Sequence, residues 1–189
     1  MHELKKAIFF DRDGTLIVDK VYLNDPNQIE YLDGVFDALQ ALKAAGYIFI
    51  IVTNQSGVAR GLVSLENLEE IHRRIIHRFA DKNLYFEGVY YAPHAADSGH
   101  PMRKPEPGML TTAAECHKID LKKSWMIGDR MSDVEAGHRA GCRTILLEGE
   151  DNPDESPFSN PTQTCTSILE AAQFILKSDS DLNSPINKN

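Results

Sequence analysis

Ala7-Ile8-Phe9-Phe10-Asp11-Arg12-Asp13-Gly14-Thr15 sets four apolar residues, with no polar alternation, directly before two carboxylates and a glycine. A short unbroken apolar run containing β-branched and aromatic side chains reads as a strand buried on both faces, the kind found in parallel sheets covered by helices. Asp11 then ends the strand. Side chains two residues apart on a strand face the same side, so Asp13 can look into the same space as Asp11. Gly14 permits the tight turn that follows, in which Thr15 is expected to hydrogen-bond.

Further apolar runs at residues 47–52, 89–91, 125–127 and 144–147 read as companion strands, and helical periods lie between them. One helix runs over 35–45 and stops at Gly46. A second starts after Ser64 with Leu65, Leu68, Ile71, Ile75 and Phe79 as its apolar stripe, acids early and arginines late. A third covers 109–117. A fourth follows Ser132, which forms a candidate capping box with Glu135, and ends at Gly141. A last one covers 167–176. Strands alternating with helices predict an α/β fold, a three-layer α/β/α sandwich on a mainly parallel sheet, as one domain over residues 1–176. Residues 148–161 read as an acidic, solvated connection, and 177–189 as a polar, disordered tail.

The chain has 189 residues, a formal charge of -8 and three cysteines that form no CxxC pair. No basic stripe is present, so nucleic acid is not an expected partner. The cysteines fit a reducing cytoplasm rather than a disulfide framework. Lys5-Lys6 precede only four apolar residues, too few for a secretory signal, and no run is long enough for a membrane span. A monomer is the default expectation.

Three more motifs stand at strand ends or in loops: Thr53-Asn54-Gln55-Ser56-Gly57, Arg103-Lys104-Pro105 and Gly128-Asp129-Arg130-Met131-Ser132-Asp133. Ligands of parallel sheets gather beyond the carboxyl ends of the strands, where all four motifs map. The inventory suits phosphoryl transfer. Asp11 can attack while Asp13 moves protons, Lys104 supplies a point charge, and Thr53 a hydroxyl for phosphoryl oxygens. Four acids in one crevice, Asp11, Asp13, Asp129 and Asp133, would repel one another unless a cation joined them. An all-oxygen ligand set favours Mg²⁺.

Together these motifs resemble the haloacid dehalogenase superfamily of phosphatases over about residues 6–147. The resemblance implies an aspartyl-phosphate formed on Asp11, with Asp13 as general acid and then base, and Thr53 and Lys104 on the phosphoryl oxygens. It also implies Mg²⁺ held by Asp11, the carbonyl of Asp13 and Asp129, with Asp133 orienting its neighbours. The intervals after the first motif and between the second and third are filled by assigned helices, so the capless type is expected. Within the superfamily, the stretches around Thr53 and Arg103 are most similar to D-glycero-D-manno-heptose 1,7-bisphosphate 7-phosphatases. That implies a small phosphorylated sugar as substrate, touched by Asp19, Lys20, Val21, Tyr22, Thr53, Asn54, Gln55, Ser56, Arg103, Lys104 and Arg130. Arg103 would meet the phosphate that stays, and Arg60 is a further candidate. That family carries a zinc loop built on cysteines; here Ala92-Pro93-His94 and His100-Pro101-Met102 replace it, so zinc is not expected. His94 is expected to pack within its loop and His100 to be solvated. Other readings of the motifs are a histidinol-phosphatase or another small phosphomonoesterase, a nucleic-acid 3′-phosphatase and a non-catalytic phospho-receiver module.

Overall fold

A computed structural model describes residues 4–148 and 160–183. Six strands form one parallel sheet: β1 (Ala7–Phe10), β2 (Ile48–Asn54), β3 (Phe86–Ala92), β4 (Trp125–Gly128), β5 (Arg143–Leu147) and β6 (Gln163–Cys165), in the order β3-β2-β1-β4-β5-β6. Helices α1 (Val35–Ala44), α2 (Ser56–Ala59), α3 (Leu65–Ala80), α4 (Gly108–His117), α5 (Met131–Ala140) and α6 (Ile168–Asn183) connect or cover them.

The unalternating apolar strands are explained by burial on both faces. Ile8 and Phe10 of β1 join Phe49 and Ile51 of β2 in a core that also takes residues of α1, α3 and α6. Ala7 and Phe9 join Ile50 and Val52 in a second core against α4 and α5. The three-layer expectation therefore holds. The strand order reverses between β1 and β4, because β2 and β3 lie to one side of β1 and the chain then returns to its other side. Ligand sites of open parallel sheets form at such a reversal. Phe10 is level with Ile51 and Ile127, which sets Asp11 between the ends of β2 and β4.

Four local expectations are corrected. The strand β6 is not foreseen because Gln163 and Thr164 are polar; among the described residues it sits at the sheet edge, paired only to β5. Leu65 is exposed rather than part of the buried stripe of α3, whereas His72 is buried there. The start of α5 is not a Ser132–Glu135 box. Its first turn begins at Met131, and Asp133 Oδ2 accepts from the Arg130 N–H at 3.1 Å.

The last correction concerns the tail. Residues 177–183 are helical, not disordered, because α6 runs on to Asn183. Its buried face, Ile168, Ala171, Ala172 and Ile175, continues at helical spacing to Asp179. That carboxylate is received by Lys6 Nζ at 2.7 Å and Tyr47 OH at 2.9 Å. Ser178 and Ser180 donate to the carbonyls of Phe174 and Lys177, so their hydroxyls bond within the helix. Residues 184–189, and 149–159 of the acidic connection, lie outside the described set. Among the described residues no helix is long and apolar enough to cross a membrane.

Asp179→Ala should lower the thermal unfolding midpoint by roughly 2–8 °C, from about 1–2 kcal/mol of lost charge-assisted bonding. An unchanged midpoint would mean that the polar end of α6 holds without this anchor.

Candidate active site

The nucleophile candidate is part of the sheet itself. The Asp11 N–H donates to the Ile127 carbonyl at 2.9 Å, which carries the β1–β4 ladder one residue beyond the strand. Asp129 follows β4 and comes up beside it. One carboxylate oxygen each from Asp11, Asp129 and Asp133 lies within 4.8 Å of the others. Two glycines make this approach possible. Gly14 has φ 72 and a Cβ there would run into the Asp129 carboxylate, while a Cβ on Gly128 would run into that of Asp133.

Lys104 arrives from the loop between β3 and α4 and is almost wholly buried. Its ammonium lies 2.6 Å from Asp11 Oδ1, 2.6 Å from Asp133 Oδ1 and 2.8 Å from the Val52 carbonyl. Burial alone would lower its pKa, but Asp11 and Asp133 outweigh that and hold it above the ordinary lysine value. The main chain is fixed as well. Asn54 Nδ2 donates to the Lys104 carbonyl and Asn54 Oδ1 accepts from the Lys104 N–H, both at 3.0 Å. One side-chain amide thus ties the second motif to the third.

Asp13 does not join the carboxylate group; it faces a clamp. Arg12 Nε donates to its Oδ2 and Nη2 to its Oδ1, each at 3.0 Å, and Gln55 Nε2 donates to Oδ2 at 2.9 Å. Gln55 Nε2 also reaches Thr53 Oγ1 at 2.9 Å, so the proton-transfer candidate and the hydroxyl candidate share one amide. Burial raises the Asp13 pKa; Arg12 opposes this and Asp11 adds to it. Arg12 was missed from sequence, since nothing in the spacing shows a guanidinium folded back beneath its own loop.

Asp11, Arg12, Asp13, Lys104 and Asp133 border a cavity of about 430 Å³, lined also by Asp19, Val21, Tyr22, Asn54, Gln55, Ser56, Arg103 and Arg130, whereas Asp129 and the buried Thr53 do not line it. Lys20 does not line it. Its ammonium turns to Glu30 at 2.8 Å, away from the predicted contact. Leu23, Ala96 and Ser132 line the wall without having been predicted. Val21 adopts φ 65, a strained conformation for a β-branched residue, in a turn held by Asp19 Oδ1 accepting from the Val21 N–H at 2.7 Å. Arg130 pairs with Asp19 at 3.0 Å. Arg103 is half-buried, with Nη1 on the His94 carbonyl at 3.1 Å; burial and the charge of Arg130 both lower its pKa. Two cations sharing a cavity wall in this way favour an anion between them. Arg60 instead donates to the Tyr22 hydroxyl at the rim.

Residues 101–171 match the HAD-hydrolase-like family model. The chain is 36% identical over 181 residues to a D-glycero-beta-D-manno-heptose-1,7-bisphosphate 7-phosphatase of Vibrio cholerae, covering 92% of this chain and 97% of that one. The chain belongs to the haloacid dehalogenase superfamily of phosphatases. The corresponding phosphatase of Pasteurella multocida is 40% identical over 150 residues, 76% of this chain and 82% of that one. Among solved structures, a D,D-heptose 1,7-bisphosphate phosphatase from B. bronchiseptica, complexed with magnesium and phosphate, superposes with a TM-score of 0.83. It is 29% identical, and the match covers 92% of this chain and 99% of that one.

In this superfamily member the carboxylate group is suited to a hard cation. Among the described residues Asp129 Oδ1 is buried without a hydrogen-bond partner, whereas Asp133 has Lys104 on one oxygen and the Arg130 N–H on the other. Asp11 and Asp129 are therefore the carboxylates left to bind an ion, in an oxygen-only setting that suits Mg²⁺. Thr15 Oγ1 is also buried without a partner among the described residues, contrary to the turn bond expected of it. Where the zinc loop's cysteines are missing, the His94 and His100 rings stack at 3.6 Å. His100 is thus half-buried rather than solvated, and its Nδ1 accepts from the Met102 N–H at 3.2 Å.

Burial first, then Asp11 and Asp133, push the Asp129 pKa up to about 7, against the opposing charge of Arg130. With a folded pKa above the ordinary 3.8, the folded state holds the proton more tightly. Its share of stability is complete below about pH 4 and lost as pH rises to about 7. In chelator, wild-type stability relative to Asp129→Asn should fall across that window in thermal unfolding scans. A flat or rising difference would contradict the crowding of these carboxylates.

Proposed function

We propose that the protein is a Mg²⁺-dependent sugar-bisphosphate phosphatase acting on D-glycero-D-manno-heptose 1,7-bisphosphate and removing the 7-phosphate. The observation that carries this reading is the shared cavity: Asp11, Lys104 and Asp133 border the same space as the two cations Arg103 and Arg130, which suits a substrate with a phosphate at each end. The names of the relatives at 36% and 40% identity support the same sugar.

An Asp11 carboxylate oxygen attacks phosphorus and the bond to the sugar oxygen breaks. Asp13 gives its proton to that departing oxygen. Burial holds its pKa above the ordinary carboxylate value, which favours the protonated form that the donor role needs. Water then attacks the aspartyl-phosphate, with Asp13 taking the proton, and phosphate leaves with Asp11 regenerated. Lys104 and the Thr53 hydroxyl hold the phosphoryl oxygens. Asp11, Asp129 and the carbonyl of Asp13 would hold Mg²⁺, which supplies positive charge against the phosphoryl oxygens. Asp133 fixes Lys104. Arg103 receives the phosphate that is not cleaved, with Asp19, Val21, Tyr22 and Ser56 around the sugar. Asn54 and Gln55 border the substrate, but their amides primarily hold Lys104 and Asp13.

Asp11→Asn should reduce phosphate release at least about 10³-fold with an unchanged circular dichroism spectrum. Chelator should abolish wild-type turnover and Mg²⁺ restore it; retained turnover in either arm rejects the mechanism. Arg103→Ala should raise KM for the bisphosphate by about 10–100-fold, the worth of a charge-assisted phosphate contact, and barely change KM for the 7-monophosphate. Equal effects on both sugars would remove Arg103 from the distal phosphate, and faster turnover of histidinol phosphate would replace the substrate.

A further inference from the structure

The Arg12 guanidinium is 1% exposed, and burying such a charge costs several kcal/mol unless its donors are satisfied. Four of its five N–H groups have partners: two on Asp13, one on Gln55 Oε1 at 3.1 Å, and one directed at His72 Nε2 at 3.1 Å. The first three belong to the catalytic loops. The fourth belongs to the middle of α3, a helix otherwise buried through Leu68, Ile71, Ile75 and Phe79.

We propose that His72 is a positioning residue for proton transfer: as a neutral hydrogen-bond acceptor it locks Arg12, and Arg12 in turn holds the Asp13 carboxyl in the orientation that meets the departing oxygen. The roles divide by chemistry. An arginine can only donate, so His72 Nε2 must accept, which leaves the ring hydrogen on Nδ1. Burial, and then the charge of Arg12, push its pKa down to about 3, so the imidazole stays an acceptor at any working pH. The Tyr91 ring, with its centroid 5.4 Å away, packs against the imidazole from β3. A neutral acceptor is the useful choice here. A carboxylate in its place would bind Arg12 strongly and compete with Asp13 for the guanidinium, while an apolar residue would leave a buried N–H unanswered and the guanidinium free to turn.

The inference rests on Asp13 being the proton donor, and leaving-group dependence tests the two separately. Protonation by Asp13 matters for an alkoxide leaving group and little for 4-nitrophenolate. kcat/KM, which reports formation of the phosphoenzyme, is compared for 4-nitrophenyl phosphate and for the sugar phosphate turned over fastest in a panel. Asp13→Asn serves as reference and should lose far more on the sugar phosphate; equal losses overturn both the donor role and the proposal. His72→Leu should lose about tenfold or more on the sugar phosphate and less than about threefold on the aryl ester. His72→Gln, which keeps a neutral acceptor, should restore most of that loss. His72→Glu provides a second disrupted variant should His72→Leu fail to fold, and is expected to show the same selective defect. Equal losses on both substrates in the folded variants, or full activity without an acceptor, would leave His72 a packing residue and overturn the proposal.

Discussion

A buried ammonium held between two carboxylates organises this protein's chemistry. Lys104 comes from a loop with little regular structure, yet its charge sits against Asp11 on one side and Asp133 on the other. Removing one partner of such a buried set typically costs about 3–5 kcal/mol, because the remaining charges lose their compensation. The third motif is thereby tied to the first and fourth. Asn54 ties its backbone to the second. Loops from four places in the sequence thus become one rigid floor, and the negative charge left over at Asp11 and Asp129 is what a divalent cation would neutralise.

The sheet was readable because burial on both faces removes polar alternation. Ala7 to Phe10 could hardly be anything but an inner strand, and the glycine-ended helices followed from their stop signals. What escaped notice did so for physical reasons. Gln163 and Thr164 carry no apolar signature because an edge strand needs only one neighbour. The polar end of α6 looks like a tail until Lys6 and Tyr47, distant in sequence, supply partners for Asp179. Acids and the lysine advertise their chemistry by type and spacing. Arg12 and His72 do not, since a buried donor and its acceptor are defined only by what the fold brings beside them.

The contacts expected of the substrate separate along a similar line. Arg103, Arg130, Ser56 and Tyr22 border the cavity, whereas Lys20 is drawn off by Glu30. Asn54 and Gln55 serve the architecture of the floor more than its contents. On the proposed reading, recognition falls to the 19–23 turn and to the loop around Arg103, both of which lie outside the sheet. In that second loop the stacked histidines, the Met102 N–H on His100 Nδ1 and the Arg103 guanidinium on the His94 carbonyl hold the chain.

The hydrogen bond from the Asp11 amide to Ile127 places the proposed attacking group inside the central ladder of the sheet. Freeing that amide requires parting β1 from β4, an event close to complete unfolding. On the proposed mechanism the reactive carboxylate is then as still as the core beneath it, while a rim that chooses the substrate can loosen, shift or be rebuilt by mutation independently. Such a division lets one catalytic floor serve successive specificities, because drift at the entrance leaves the bond-breaking geometry intact.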